Sequence, residues 1–154
     1  MKKIFIYLFL PILLMGCVTT PPPRLITNTE IFQSSFDRVW GATVATFAEK
    51  TLPIESIDKE SGLIGSNFVK TSRVYQIAEI PNTWLGSVYS SARFKVNLFA
   101  KRISNEITEI QINAHIEKYS AGVATYGLAP GTWEPVQSKG ILEQEILDSI
   151  KAKL

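Results

Sequence analysis

The sequence predicts an α+β fold: a curved antiparallel sheet packed on one face by an early helix and a C-terminal helix. Three observations carry this. Phe36, Val39, Trp40, Thr43, Val44 and Phe47 repeat at the spacing of one helical face. Residues 93–101 and 108–117 alternate apolar and polar side chains on either side of Ser104-Asn105, the pattern of two half-buried strands in a hairpin. Ile141, Leu142, Ile146, Leu147, Ile150 and Leu154 then return to the helical period. Helix, antiparallel strands and helix bury their apolar faces together when the helices form a layer on one side of the sheet.

The elements follow in order. Residues 30–33 are expected as a short first strand. Ser34 or Ser35 can cap the first helix, Asp37 lies in its first turn where the dipole favours negative charge, and Pro53 ends it. Asp37, Arg38, Thr46, Glu49 and Lys50 are placed on its polar side. Residues 54–58 and 63–69 are β-rich, and Asp58-Lys59-Glu60-Ser61-Gly62 supplies turn chemistry with Gly62 free to take positive φ, so a hairpin is expected. Residues 70–72 read as a loop and 73–80 as a further strand. Residues 82–91 fit a loop, a helical turn or a strand start.

In the long hairpin, Phe94, Val96, Leu98 and Ala100 face inward and Arg93, Lys95, Asn97, Phe99 and Lys101 outward. Its partner strand turns Thr108, Ile110, Ile112, Ala114 and Ile116 inward and Glu109, Gln111, Asn113, His115 and Glu117 outward, which sets opposite charges across the two strands. Residues 119–135, with Gly122, Gly127, Pro130, Gly131 and Pro135, show no period and read as a long loop, either functional or mobile. The last helix starts near Ser138, with Glu143 and Glu145 early and Lys151 and Lys153 late, as the macrodipole favours. The cleft between sheet and last helix is the expected place for a ligand or peptide.

Ahead of the domain, Lys2 and Lys3 precede an apolar run over residues 4–14 broken only by Pro11. Such a run rises about 1.5 Å per residue and falls short of a hydrocarbon core about 30 Å thick, so it reads as a signal and not a membrane span. It ends in Leu14-Met15-Gly16-Cys17. This resembles the lipobox of bacterial lipoproteins, and the resemblance implies a signal peptide at residues 1–16 and lipidation of Cys17 by acyl chains such as palmitate. Two or three chains would anchor the protein stably to the membrane. Val18, where an Asp would signal retention at the inner membrane, implies the outer membrane facing the periplasm. Residues 17–29, with Thr19-Thr20-Pro21-Pro22-Pro23, are expected as an extended tether, and residues 30–154 as a single domain.

Phe36-Asp37-Arg38-Val39-Trp40, followed by Ile54, Asp58-Lys59, Gly62 and Ile64, resembles domains of the BamC-type lipoproteins attached to the outer-membrane β-barrel assembly machinery. There a helix opening with Val-Trp leads to a strand, an Asp-containing turn with Gly, and another strand. The resemblance spans residues 36–64 and implies a helix-grip-like α+β domain without carrying a function.

Charge excludes one class of partner. The chain has 16 basic and 14 acidic residues, and loss of Lys2 and Lys3 with the signal leaves 14 of each, so no basic excess steers it to nucleic acid. The only cysteine is assigned to lipid, which leaves no disulfide. The only histidine, His115, falls on the wet side of a strand, and no zinc site is expected from that inventory. Ser56-Ile57-Asp58-Lys59 matches Ser-x-x-Lys, but it lies in a strand and turn and lacks a Ser-Asp-Asn partner. Gly-x-Ser-x-Gly, Walker and GxGxxG patterns are absent. No catalytic residue, cofactor or metal ligand is assigned, and the chain reads as a non-enzyme.

Trp84, Tyr89, Tyr126 and Trp133 gather in the connecting segments. Such residues bury large area with a polar handle, so they are the candidate contacts for a partner or ligand. The other reading is that they plug the ends of the sheet. The expected function is a lipid-anchored periplasmic binding or interaction module for an envelope protein or peptide. The alternatives are a carrier of a lipid or other apolar ligand, which would need an apolar cavity of about 300 Å³ or more, and a glycan hydrolase built on carboxylates such as Glu55, Glu60, Glu79 and Glu134.

Overall fold

The computed structural model describes residues 28–80, 91–124 and 127–154; Cys17, Trp84, Tyr89 and Tyr126 lie outside them. The elements run β1 (Thr29–Phe32), α1 (Phe36–Glu49), β2 (Ile54–Asp58), β3 (Leu63–Ser66), β4 (Val69–Thr71), a single turn α2 (Val74–Ile77), β5 (Ala78–Glu79), β6 (Ser91–Arg102), β7 (Thr108–Ala124), β8 (Gly127–Ser138) and α3 (Ile141–Lys151). Among the described residues this is an α+β fold, an open antiparallel sheet in the order β2-β3-β6-β7-β8-β5 with helices packed on it.

The β6–β7 hairpin is the spine. Its strands pair from Ser91↔Tyr119 to Arg102↔Thr108, and each outer edge is served by two shorter strands placed end to end. On β6 these are β3 (Leu63↔Phe99 to Gly65↔Asn97) and β4 (Val69↔Phe94 to Thr71↔Ala92). On β7 they are β1 (Thr29↔Gln111 to Phe32↔Thr108) and β8, from Ile116↔Val136 to Ala124↔Gly127. Both edges therefore have a gap where one short strand stops and the next has not begun.

Buried N–H groups left in such gaps need partners. Val96 N–H donates to Ser66 Oγ at 2.8 Å, and Ile112 N–H to the Asn28 carbonyl at 2.7 Å. Ala114 N–H donates to the Glu143 carboxylate at 3.3 Å. Glu143, only 3% exposed, also accepts from Ser138 Oγ at 2.8 Å, and Ser138 Oγ in turn accepts from Gly140 N–H at 3.0 Å. A carboxylate in the first turn of α3 thus patches the sheet and fixes the helix start together.

One face of the sheet carries the core. Val96, Leu98, Ile110, Ile112 and Ile116 meet Val39, Trp40 and Phe47 of α1 and Leu142, Ile146, Leu147 and Ile150 of α3, all buried in one cluster. The two helices contact each other as well as the sheet. The inward and outward sets expected for β6 and β7 are the ones observed, and the β2–β3 hairpin turns through Gly62 at φ 74°. A side chain at Gly62 would lie 2.0 Å from the Ala100 carbonyl oxygen, so glycine is required there.

Several expectations need correction. Residues 119–124 and 127–135 are strand and not loop: β7 continues to Ala124 and β8 runs back along it from Gly127. Glycines and prolines hide the strand period, and the prolines are tolerated because, among the described residues, β8 pairs on its far side only with β5, at Gln137 and Ser138. Residues 73–80 hold the α2 turn before the two residues of β5, and residues 69–71 pair as β4 where the end of a strand and a loop were expected. On α1, Thr46 is buried and not on the polar side, because its hydroxyl donates to the Ala42 carbonyl at 2.8 Å, as Thr43 does to Val39. Ser35 holds the N-cap position without a side-chain cap bond. Ile141 stays 42% exposed, and Glu143 takes a place in the buried face of α3.

Candidate functional site

The sheet face opposite the helices carries a connected group of side chains at its β4–β8 end. Register builds it. Arg93 stands opposite Glu117, Lys95 opposite His115, Lys70 opposite Arg93, and Trp133 opposite Tyr119. Phe68 precedes β4 at the gap beside Lys95, held by its N–H donating to Asn67 Oδ1 at 2.7 Å.

Arg93 is the centre. Its Nε donates to Glu117 Oε2 at 2.6 Å, while its guanidinium carbon lies 4.1 Å from the Phe68 ring centre and 4.2 Å from that of Trp133. A cation held over two aromatic faces gains from both ring quadrupoles. Lys95 Nζ stands 5.2 Å from the Phe68 ring centre, and the Phe68 and His115 rings meet edge to face at 6.0 Å. Tyr119 and Trp133 also meet edge to face, at 5.3 Å. The Tyr119 ring crosses over Gly131, where an added Cβ would come within 2.4 Å of it.

Electrostatics fix the ionisation of the centre. Burial pushes the Glu117 carboxyl up, but hydrogen bonds and charge attraction from Arg93 and His115 together outweigh it and hold the group below the usual carboxylate range. His115 Nε2 lies 3.0 Å from Glu117 Oε1, and its side chain is 44% exposed. The histidine therefore does meet a carboxylate, but on an open face and not in a cleft, with the second carboxylate oxygen committed to Arg93. The arrangement brings cations and half-buried aromatic rings together on the sheet face opposite the helices, a combination suited to holding a ligand group by charge and ring contact.

Of the aromatic residues singled out from sequence, Trp133 joins this cluster from β8, and Trp84, Tyr89 and Tyr126 lie outside the described residues, as does Cys17. Among the described residues no group of three or more His, Cys, Asp and Glu could hold a metal ion. Ser56 and Lys59 are apart in role: Ser56 sits on β2 and Lys59 pairs with Asp37 at 2.8 Å. Glu134 pairs with Lys118 at 3.1 Å. Phe68, Arg93 and Glu117 are the functional candidates sequence reasoning did not select. Its cross-strand charge pattern does contain the Arg93–Glu117 pair, but nothing in the sequence brings Phe68 to it.

The expected cleft between sheet and last helix is filled by Ile112, Ile116, Leu142, Ile146 and Leu147. An open depression of about 720 Å³ lies elsewhere, at the start of α1, lined by Phe36, Lys59, Glu60, Phe99, Lys101 and Arg102 among others. No helix among the described residues is long and apolar enough to cross a membrane. No protein-family model matches this chain, and no curated protein matches it.

Proposed function

We propose that this chain is a lipid-anchored, non-enzymatic binding module of the bacterial cell envelope, held at the outer membrane by Cys17 and facing the periplasm. The anchor reading comes from Leu14-Met15-Gly16-Cys17 behind a short apolar run. The binding reading rests on one observation: the interior between sheet and helices is packed, while Arg93 with its aromatic and charged neighbours stands on the open face. A packed interior favours docking on a surface over carriage of an apolar ligand within.

Metabolic labelling with an alkyne analogue of palmitate tests the anchor. Native protein is expected to take up label and fractionate with membranes, and Cys17→Ser to lose both; label retained in Cys17→Ser would overturn it. Crosslinking in intact cells tests the binding surface, with native protein compared against Trp133→Ala. A specific envelope partner lost in a folded Trp133→Ala variant supports the reading, and an unchanged partner set contradicts the assignment of this face.

A further inference from the structure

We infer that the open face of the sheet takes an acidic, extended segment of a partner protein, with Lys70 and Lys95 meeting its carboxylates above the Phe68–Arg93–Trp133 stack. This assignment rests on the binding-module reading and names its partner class. Charge complementarity carries it. Glu117 neutralises Arg93 at 2.6 Å, whereas Lys70 and Lys95 have no carboxylate partner among the described residues. His115 is taken up by Glu117, its Nε2 lying 3.0 Å from Glu117 Oε1. Glu79, a further carboxylate on this face, lies beyond β8 on the short strand β5.

Spacing fits as well. Lys70 is opposite Arg93, and Lys95 is two residues along β6 on the same face, a diagonal of about 7 Å. An extended segment repeats its same-side side chains at nearly that interval, about 6.6–6.8 Å. Carboxylates at positions i and i+2 of the segment therefore reach the two ammonium groups together. The half-buried rings of Phe68 and Trp133 supply apolar surface at the centre of the contact, with the lysines at its rim.

The test titrates the full-length protein, in detergent micelles, into a fluorescein-labelled peptide of alternating Glu and Ser and follows anisotropy. Gln-Ser and Lys-Ser peptides of equal length are the controls. The Glu-Ser peptide is expected to bind, the controls not, with affinity falling as salt rises. Lys70→Glu/Lys95→Glu is expected to weaken binding about tenfold or more, Lys70→Gln/Lys95→Gln by less, and Lys50→Glu on the helix side not at all. Circular dichroism confirms that each variant is folded, and the milder Gln pair keeps the test decisive if the Glu pair unfolds. Equal binding of Glu-Ser and Gln-Ser peptides, native affinity in the folded double variants, or no binding to the native protein would overturn the proposal. Palmitate labelling of the same protein separates the two readings: label without acidic-peptide binding removes the partner class and leaves the anchored module.

Discussion

The two faces of the β6–β7 hairpin are made by the same residues taken alternately, yet they do opposite things. Inward, Val96, Leu98, Ile110, Ile112 and Ile116 are buried against α1 and α3. Outward, Arg93, Lys95, His115 and Glu117 remain partly or fully exposed and bind one another and Phe68 and Trp133. Burial of apolar area is the dominant stabilising term in folding, whereas exposed ion pairs add little. The fold therefore depends on one face, and substitutions on the other cost it little.

Replacing side chains tests that division from the larger effect to the smaller. Leu98→Ala on the buried face is expected to lose about 3 kcal/mol of stability in urea unfolding, from lost transfer energy and an unfilled cavity. Lys95→Ala, three residues away on the open face, is expected to change it by less than about 0.5 kcal/mol. Comparable losses at the two sites would break the comparison.

Glu143→Leu probes the join between helix and sheet. It would strand Ala114 N–H and Ser138 Oγ, and a loss of about 2 kcal/mol is expected. An unchanged midpoint would show that this patch contributes nothing. Arg93→Met removes the stacked cation while keeping most of its length, with an expected loss of about 1 kcal/mol; tryptophan fluorescence should report the change around Trp133.

The smallest effect is in acid. The folded-state pKa of Glu117 lies below its ordinary unfolded value of about 4.3. Its contribution is therefore fully present above that value and is lost as pH falls through the lower folded pKa. Glu145, lowered chiefly by its hydrogen bond from Arg73, has the same sign. The stability gap between native protein and Glu117→Gln should shrink as pH falls from about 7 to below 4, and a gap that widened would contradict the assigned pairing.

Sequence pattern revealed the elements whose alternation or helical stripe runs unbroken: α1, β6, the first ten residues of β7, and α3. It missed β8 because Pro130, Gly131 and Pro135 interrupt the period that pairing with β7 then imposes. It missed the paired gaps for a different reason. Whether β3 and β4 lie end to end on β6 is set by tertiary pairing, and residues 63–69 read as one strand until Asn67 and Phe68 leave the ladder. The candidate site grows from that break. Trp133 was visible as an aromatic outside the periodic elements, and Arg93 and Glu117 as opposite charges, but only the fold brings Phe68 to them.

The most direct measurement places a photo-crosslinking residue at Lys95 on the open face or at Asp148 on α3, in protein produced in living cells. The account predicts a defined partner adduct from position 95 that is lost in Lys70→Gln, and none from position 148. Adducts from position 148 alone, or the same products from both positions, would contradict it.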